Sequence, residues 1–492
     1  MINFSPAYPE IFLLLMICVV LLVDMFLSDA SRFVTHYLSL FAIGVCAALT
    51  MADFNAGQTV FTFNNMFLSD PLSNLLKLLS YLAVGLTLIY SRQYSSDRNM
   101  LGNELGGEFY VLALFSLLGQ MVMIGANNLL VIYLGLELMS LALYTLVALR
   151  RNYVASTEAA MKYFVLGALS SGFLLYGISM LYGATGTLDL SEIASASTLI
   201  SSDQTIVVFA LVFLVAGLGF KLGAAPFHMW VPDVYQGSPT SVTLLLGAAP
   251  KFAAFAICFR ILVEGLFTFA IDWQQMLMVI SILSMAVGNI AALAQTNLKR
   301  MLAYSTISHM GFMLLGLLSG VSNGQINLAA SAYASSMFYI VTYVFTTLGT
   351  FGIILLLARN GFESEQIDDL KGLNKRSPWF AFVMLILMFS LTGIPPFMGF
   401  YAKFSVIQAV LGAGQIWLAI AAVFFSLVGA FYYLRVVKVM YFDEPTENNG
   451  IAVNREMRFV LSVNGLAILF FGLMPESAMN LCVDAITKTL AS

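Results

Sequence analysis

Fourteen long apolar runs follow one another through this chain, and that succession limits what it can fold into. They lie near residues 8–27, 34–52, 72–91, 109–126, 129–148, 158–183, 206–235, 240–264, 275–295, 301–320, 329–358, 378–411, 416–440 and 459–475. A helix crossing the hydrocarbon core of a bilayer needs roughly 20 mostly apolar residues. A soluble fold could not cover so much apolar chain: 60% of the 492 residues are hydrophobic and 10% charged, against roughly 25% charged in soluble domains. The runs are continuous rather than alternating, which argues against a transmembrane β-barrel. The expectation is an all-α integral membrane protein of about 14 transmembrane helices with a short amphipathic tail. No basic residue precedes the first run, so it reads as a retained span rather than a cleaved signal peptide.

Basic residues test the count, because Lys and Arg collect in alternate loops on the inner side. One set of loops holds Arg32, Arg92, Arg98, Arg150, Arg151, Lys299, Arg300, Arg359, Lys371, Lys375, Arg376, Arg435, Lys438, Arg455 and Arg458. The other set holds only Lys488, in the tail, while its long loops carry Asp53, Asp70, Asp189, Glu192 and Asp203. A missed helix would scramble this sorting, so fourteen spans with both termini on the outer face are expected.

Six basic residues fall inside spans: Lys77, Lys162, Lys221, Lys251, Arg260 and Lys403. Each costs about 2.5–3.5 kcal/mol on insertion scales, so intramembrane charge points to function. Glu137 and Lys251 sit near mid-depth in the fifth and eighth spans, and His309 in the tenth. Lys162 is nearer the inner face, four residues after Glu158 on the same helix face. Lys77 and Arg260 lie near span ends, where they can snorkel to the interface. His36 reads as structural, and His309 as either a helix–helix hydrogen bond or a relay. Cys18, Cys46, Cys258 and Cys482 are scattered singly, indicating neither a disulfide framework nor a metal site.

The seventh span is interrupted at Gly223 and Pro226, between Lys221 and His228, and the twelfth at Gly393, Pro395 and Pro396, just before Lys403. Proline removes a backbone donor and clashes with the preceding turn. Paired broken spans in two halves of a chain point to an inverted-repeat transporter. Two five-span units, each with a broken fourth member, fit 106–266 and 267–442. They follow three N-terminal spans (1–105) and precede a final loop, span and tail (443–492). Because five is odd, the second unit starts from the opposite side. Lysine, glutamate and histidine at mid-depth, with no nucleophile beside a base and no phosphate loop, suit proton transfer: a buried Lys beside a movable carboxylate can be switched between holding and releasing a proton, and His titrates near neutral.

Three segments carry a family likeness. PFHMWVPDVYQGSPTSVTLLL followed by Lys251, QTNLKRMLAYSTISHMGFMLLG, and LTGIPPFMGFYAKF resemble the signatures of the antiporter-like membrane subunits of respiratory complex I, across essentially the whole chain. PDVYQGSPT and the APK context of Lys251 are most similar to the N branch, with the M branch the nearest rival. The resemblance implies roles for seven residues in proton transfer. Glu137 pairs with Lys221, Lys251 is the central relay, His228 helps join two half-channels, and Lys403 is the terminal lysine. Lys162 and His309 match a lysine and a histidine of the sixth and tenth spans. It also implies no cofactor or metal in this chain, with NADH, FMN, iron–sulfur clusters and quinone held by partner subunits. The implied partners are the neighbouring antiporter-like M subunit and the small K and J subunits. The implied site is the bacterial inner membrane, with termini on the periplasmic face. Rival readings are a subunit of an Mrp-type cation/proton antiporter and a membrane scaffold with vestigial charges.

Overall fold

The computed structural model describes residues 3–28, 31–97, 107–197, 204–321, 329–358, 362–445 and 454–491. Arg98, Asp203 and Arg359 of the loop tally lie outside them. Helices α1 (Tyr8–Met25), α2 (Phe33–Ala56) and α3 (Pro71–Asp97) form the N-terminal group, with a short hairpin, β1 (Val60–Thr62) and β2 (Phe67–Ser69), between the last two. The first unit holds α4 (Glu108–Ile124), α5 (Leu129–Val147), α6 (Val154–Thr185), the short α7 (Leu190–Ser197) and α8 (Gln204–Leu222). It continues through α9 (Trp230–Gly237), α10 (Thr240–Gly247) and α11 (Pro250–Cys258), which runs into a π-helical turn at Phe259–Gly265. Next come α12 (Ala270–Leu293), α13 (Leu298–Leu318), α14 (Ala329–Leu357), the single turn α15 (Leu373–Arg376), α16 (Pro378–Thr392), α17 (Met398–Gly412) and α18 (Ile416–Phe442). The chain closes with α19 (Arg455–Leu473) and α20 (Pro475–Leu490). Among the described residues, 12 helical stretches are long and apolar enough to span a membrane. Two shorter apolar helices, Glu108–Ile124 and Pro378–Thr392, occupy the remaining expected spans.

Contacts between loops sort them onto two ends of the bundle. At one end, Asn127 donates to the Asn65 carbonyl of the hairpin (2.9 Å), Leu129 N–H to Leu188 O (2.9 Å), and Thr489 of α20 to Asp70 (2.8 Å). Thr62 donates to Asn3 O at the same end. At the other end, Arg150 pairs with Glu363 (3.0 Å), Lys299 with Glu365 (2.8 Å) and Arg92 with Glu456 (3.1 Å). The second end is the one to which the basic loops belong.

The two halves repeat in register. Asn128 caps α5 by accepting from Leu130 N–H (3.0 Å), and Asn297 caps α13 by accepting from Arg300 N–H (2.9 Å). Each cap forms an isolated β-bridge to the loop after the next helix: Asn128 with Asp189, Asn297 with Gln366. A Cβ on Gly119 would lie 2.5 Å from Met139 N and 2.7 Å from Gly135 O; one on Gly288 would lie 2.6 Å from Ser308 N and 2.7 Å from Tyr304 O. Glycine lets paired helix backbones approach closely in lipid, where packing rather than a hydrophobic drive joins helices. One offset carries Gly119 to Gly288, Asn128 to Asn297 and Met139 to Ser308. Helix α5 starts at the hairpin end and α13 at the Arg150–Glu363 end, so the repeat is inverted.

Two expectations need correction. The eighth span is not continuous. It breaks at Ala248 (φ −110°, ψ −96°) between α10 and α11, where Pro250 cannot donate to the helix ladder. Lys77 and Arg260 do not snorkel. Lys77 is 1% exposed and pairs with Glu10 of α1 at 2.7 Å. Arg260 is 2% exposed and held between Asp70 (2.6 Å) and Glu264 (2.7 Å). A buried charge is tolerated when paired, and each has a carboxylate within reach inside the bundle.

Candidate functional site

The site grows from the broken helices. Helix α8 ends at Leu222, followed by Gly223 in the left-handed region (φ +78°). Helix α16 ends at Thr392, followed by Gly393 (φ +87°). L-residues with a Cβ are disfavoured at such φ, which accounts for glycine at both turns. The last carbonyls of a helix have no intrahelical donor, and here lysines supply one. Lys251 Nζ donates to Leu222 O at 2.8 Å. Lys403 Nζ donates to Thr392 O at 2.9 Å and to Ser426 Oγ at 3.0 Å. A cation at a helix C-terminus also meets the negative end of the helix dipole. Both lysines are buried, 1% and 8% exposed. The Lys251 ammonium lies 5.9 Å from the Trp230 ring centroid, and that of Lys403 5.1 Å from Phe312.

Lys221 immediately precedes the Leu222 carbonyl that Lys251 engages. The expected ion pair with Glu137 is not formed: Lys221 Nζ donates instead to Ser140 Oγ at 2.9 Å. Ser140 stands three residues after Glu137, on the same face of α5. Glu137 is half-buried, and its Oε1 is buried with no hydrogen-bond partner among the described residues.

His309 is buried between two hydroxyls, with Nδ1 2.7 Å from Tyr339 OH and Nε2 3.0 Å from Tyr433 OH. It lines a cavity of about 10 Å³ shared with Lys403, Tyr343, Thr346 and Ser390, at the lower limit of room for one water. His228 lies in the α8–α9 break, and its Nδ1 is buried without a partner among the described residues. The break touches the second half directly, since Ala225 N–H donates to Ser284 of α12 at 2.8 Å.

Lys162 stands apart from this row. It is 43% exposed and pairs with Glu158 (2.9 Å) and Asp233 (2.7 Å), and Arg300 takes the other Asp233 oxygen at 2.7 Å. The row itself brings together Glu137, Lys221 and Lys251 in the first half, and His309 and Lys403 in the second. Sequence reading missed Ser140, Ser426, Tyr339, Tyr433 and Asp233. It also missed the break beside Lys251, although a signal was present: Gly-Ala-Ala-Pro occurs at 223–226 and again at 247–250. Amines, imidazole and hydroxyls in such an arrangement can pass protons.

Two inverted units with broken helices, each ending on a buried lysine, define an antiporter-like membrane subunit. A family model described as NADH:quinone oxidoreductase/Mrp antiporter, TM, matches residues 126–429. NADH-quinone oxidoreductase subunit N of Herminiimonas arsenicoxydans is 64% identical over 491 residues, covering 100% of this chain and 99% of the relative. That of Nitrosomonas europaea is 55% identical over 488 residues, covering 99% of each. A chain in the structure of respiratory complex I from Thermus thermophilus with bound aureothin superposes with a TM-score of 0.81 at 30% identity, over 96% of this chain and 99% of that one. A chain of the Mrp complex from Dietzia shares the fold (TM-score 0.84, 21% identity, 99% and 97% covered). The chain belongs to the NADH:quinone oxidoreductase/Mrp antiporter family, in its NADH-quinone oxidoreductase subunit N branch.

Proposed function

We propose that this chain moves protons across the membrane as the subunit N of an NADH–quinone oxidoreductase. Its path runs from Glu137 and Lys221 through Lys251 to His309 and Lys403. The observation that carries the reading is the duplicated Lys-on-broken-helix construction: Lys251 on Leu222 O and Lys403 on Thr392 O. Each ammonium is buried on neutral acceptors, so its proton is held without a paired carboxylate and can be displaced by a nearby change in charge. Lys221 and Lys251 meet at adjacent residues of one helix end, which couples them mechanically. The His228 segment touches α12, and the cavity beside His309 reaches Lys403. Lys162, with Asp233 and Arg300, serves at the inner rim rather than in the central row.

Redox chemistry with NADH, FMN, iron–sulfur clusters and quinone belongs to partner subunits, and energy reaches this chain through its neighbours in the membrane arm, the M, K and J subunits. The units 106–266 and 267–442 act as two half-channels. The basic loops face the bacterial cytoplasm and both termini the periplasm. A native gel of gently solubilised membranes carrying a tagged chain tests the assignment. The tag and NADH-oxidising activity are expected together in one very large band. A smaller tagged band without that activity, while the large active band survives, would mean a stand-alone antiporter instead.

A further inference from the structure

The path from Glu137 and Lys221 through Lys251 to His309 and Lys403 leaves one polar contact at its start unexplained. Lys221 rests on Ser140 rather than on Glu137, and the inference drawn from this depends on the Glu137–Lys221 reading above. Ser140 is buried, 1% exposed, and accepts the Lys221 ammonium at 2.9 Å. Glu137, three residues earlier on the same helix, has a buried oxygen with no hydrogen-bond partner among the described residues. The ammonium therefore has two acceptors within one helical turn, a neutral hydroxyl that holds it and a carboxylate that stands vacant.

The internal repeat singles out the same position. The offset that carries the cap Asn128 to Asn297 and Met139 to Ser308 carries Ser140 to His309. His309 is the residue of α13 that shares a cavity with Lys403, and Ser140 is the residue of α5 that holds Lys221. In both halves this register places a hydrogen-bonding side chain opposite the lysine of a broken helix. By the same offset Glu137 corresponds to Thr306, so the carboxylate is particular to the first half, while the polar group at the next turn is common to both.

We propose that Ser140 is a positioning residue that sets an open state of the first half: it parks the Lys221 ammonium away from Glu137 until the carboxylate draws it across. Atoms and charge balance without a proton leaving either group. The ammonium exchanges one acceptor, Ser140 Oγ, for another, the Glu137 carboxylate, and swings back when Glu137 is neutralised. In the parked state Lys221 holds Ser140, and its neighbour Leu222 presents its carbonyl to Lys251. Without the hydroxyl the lysine has only the carboxylate to go to. The pair then stays closed, and the step that hands charge on to Lys251 slows.

The test uses the assembled complex in membrane vesicles, comparing Ser140→Ala, Ser140→Thr and Lys221→Ala. NADH oxidation and NADH-driven proton translocation are measured together, with native-gel assembly as the check. Ser140→Ala is expected to assemble and to lower proton translocation roughly tenfold, the scale of one lost hydrogen bond to a charged group. Ser140→Thr, which keeps the hydroxyl, is expected to restore it. Should the alanine variant assemble poorly, Ser140→Cys keeps the volume, replaces the hydroxyl by a weak acceptor, and is read the same way. Wild-type translocation in Ser140→Ala beside a defective Lys221→Ala overturns the role of Ser140 alone. Equal loss in the alanine and threonine variants also overturns it, since that marks a packing effect. Wild-type translocation in Lys221→Ala overturns the Glu137–Lys221 reading itself.

Discussion

Removing one member of the Glu10–Lys77 pair should be far more damaging than removing both. The two side chains are 2.7 Å apart, 1% exposed on the lysine and 8% on the glutamate. They join α1 to α3, and Lys77 also lies 4.8 Å from the Phe67 ring centroid. Taking away one partner of such a pair leaves an uncompensated charge where water does not reach, at a cost of about 3–5 kcal/mol. Replacing both with uncharged groups of similar volume is often neutral or stabilising. Lys77→Met should therefore destabilise the N-terminal helices by about two to four powers of ten in their folded fraction, and Glu10→Gln with Lys77→Met together should recover most of it. The readout is heat-induced loss of the tagged chain from the solubilised complex, followed on native gels for the single and double variants. A double variant as labile as Lys77→Met, or a Lys77→Met variant as stable as the wild type, would refute the reasoning.

Helix packing offers a second test. A Cβ on Gly288 meets the α13 backbone at 2.6 Å, whereas one on Gly44 meets nothing within 4 Å. Gly288→Ala should cost about 1–3 kcal/mol, the range for overpacking, and lower the dissociation temperature of the chain, while Gly44→Ala should leave it unchanged. Lys162 makes its ion pairs at a site 43% exposed, and pairs of that kind contribute about 1 kcal/mol or less. Lys162→Ala should accordingly keep assembly and most proton translocation, measured by NADH-driven acidification of inverted vesicles; a loss equal to that of Lys251→Ala would place Lys162 in the central row.

Much of the architecture was legible because the membrane imposes it. Apolar run length sets the spans, and the sorting of Lys and Arg set the two ends that the Arg150–Glu363 and Asn127–Asn65 contacts display. Gly223 with Pro226, and Gly393 with Pro395, announced breaks because proline and left-handed glycine have few other uses inside a span. What stayed hidden depends on which faces meet. Lys77 and Arg260 looked free to snorkel because Glu10 is distant in sequence from one and Asp70 from the other. Ser140 was passed over because serine is common in membrane helices and marks a site only when a lysine from another helix reaches it. Pro250 was read as part of a continuous span, although it closes the same four-residue sequence that breaks the seventh. The carbonyls of Leu222 and Thr392, which hold the two central lysines, carry no side-chain signature at all.

The central claim is that protons cross this chain through lysines held on broken helix ends. The most direct test compares proton translocation with NADH oxidation in vesicles containing the wild-type complex or Lys251→Ala, with assembly verified on native gels. Among the described residues Lys251 has one acceptor, Leu222 O, and no carboxylate beside it, so its loss breaks the row without stranding an opposite charge. The account predicts an assembled complex whose protons moved per NADH fall well below the wild-type ratio. An assembled Lys251→Ala complex with the wild-type ratio would contradict it.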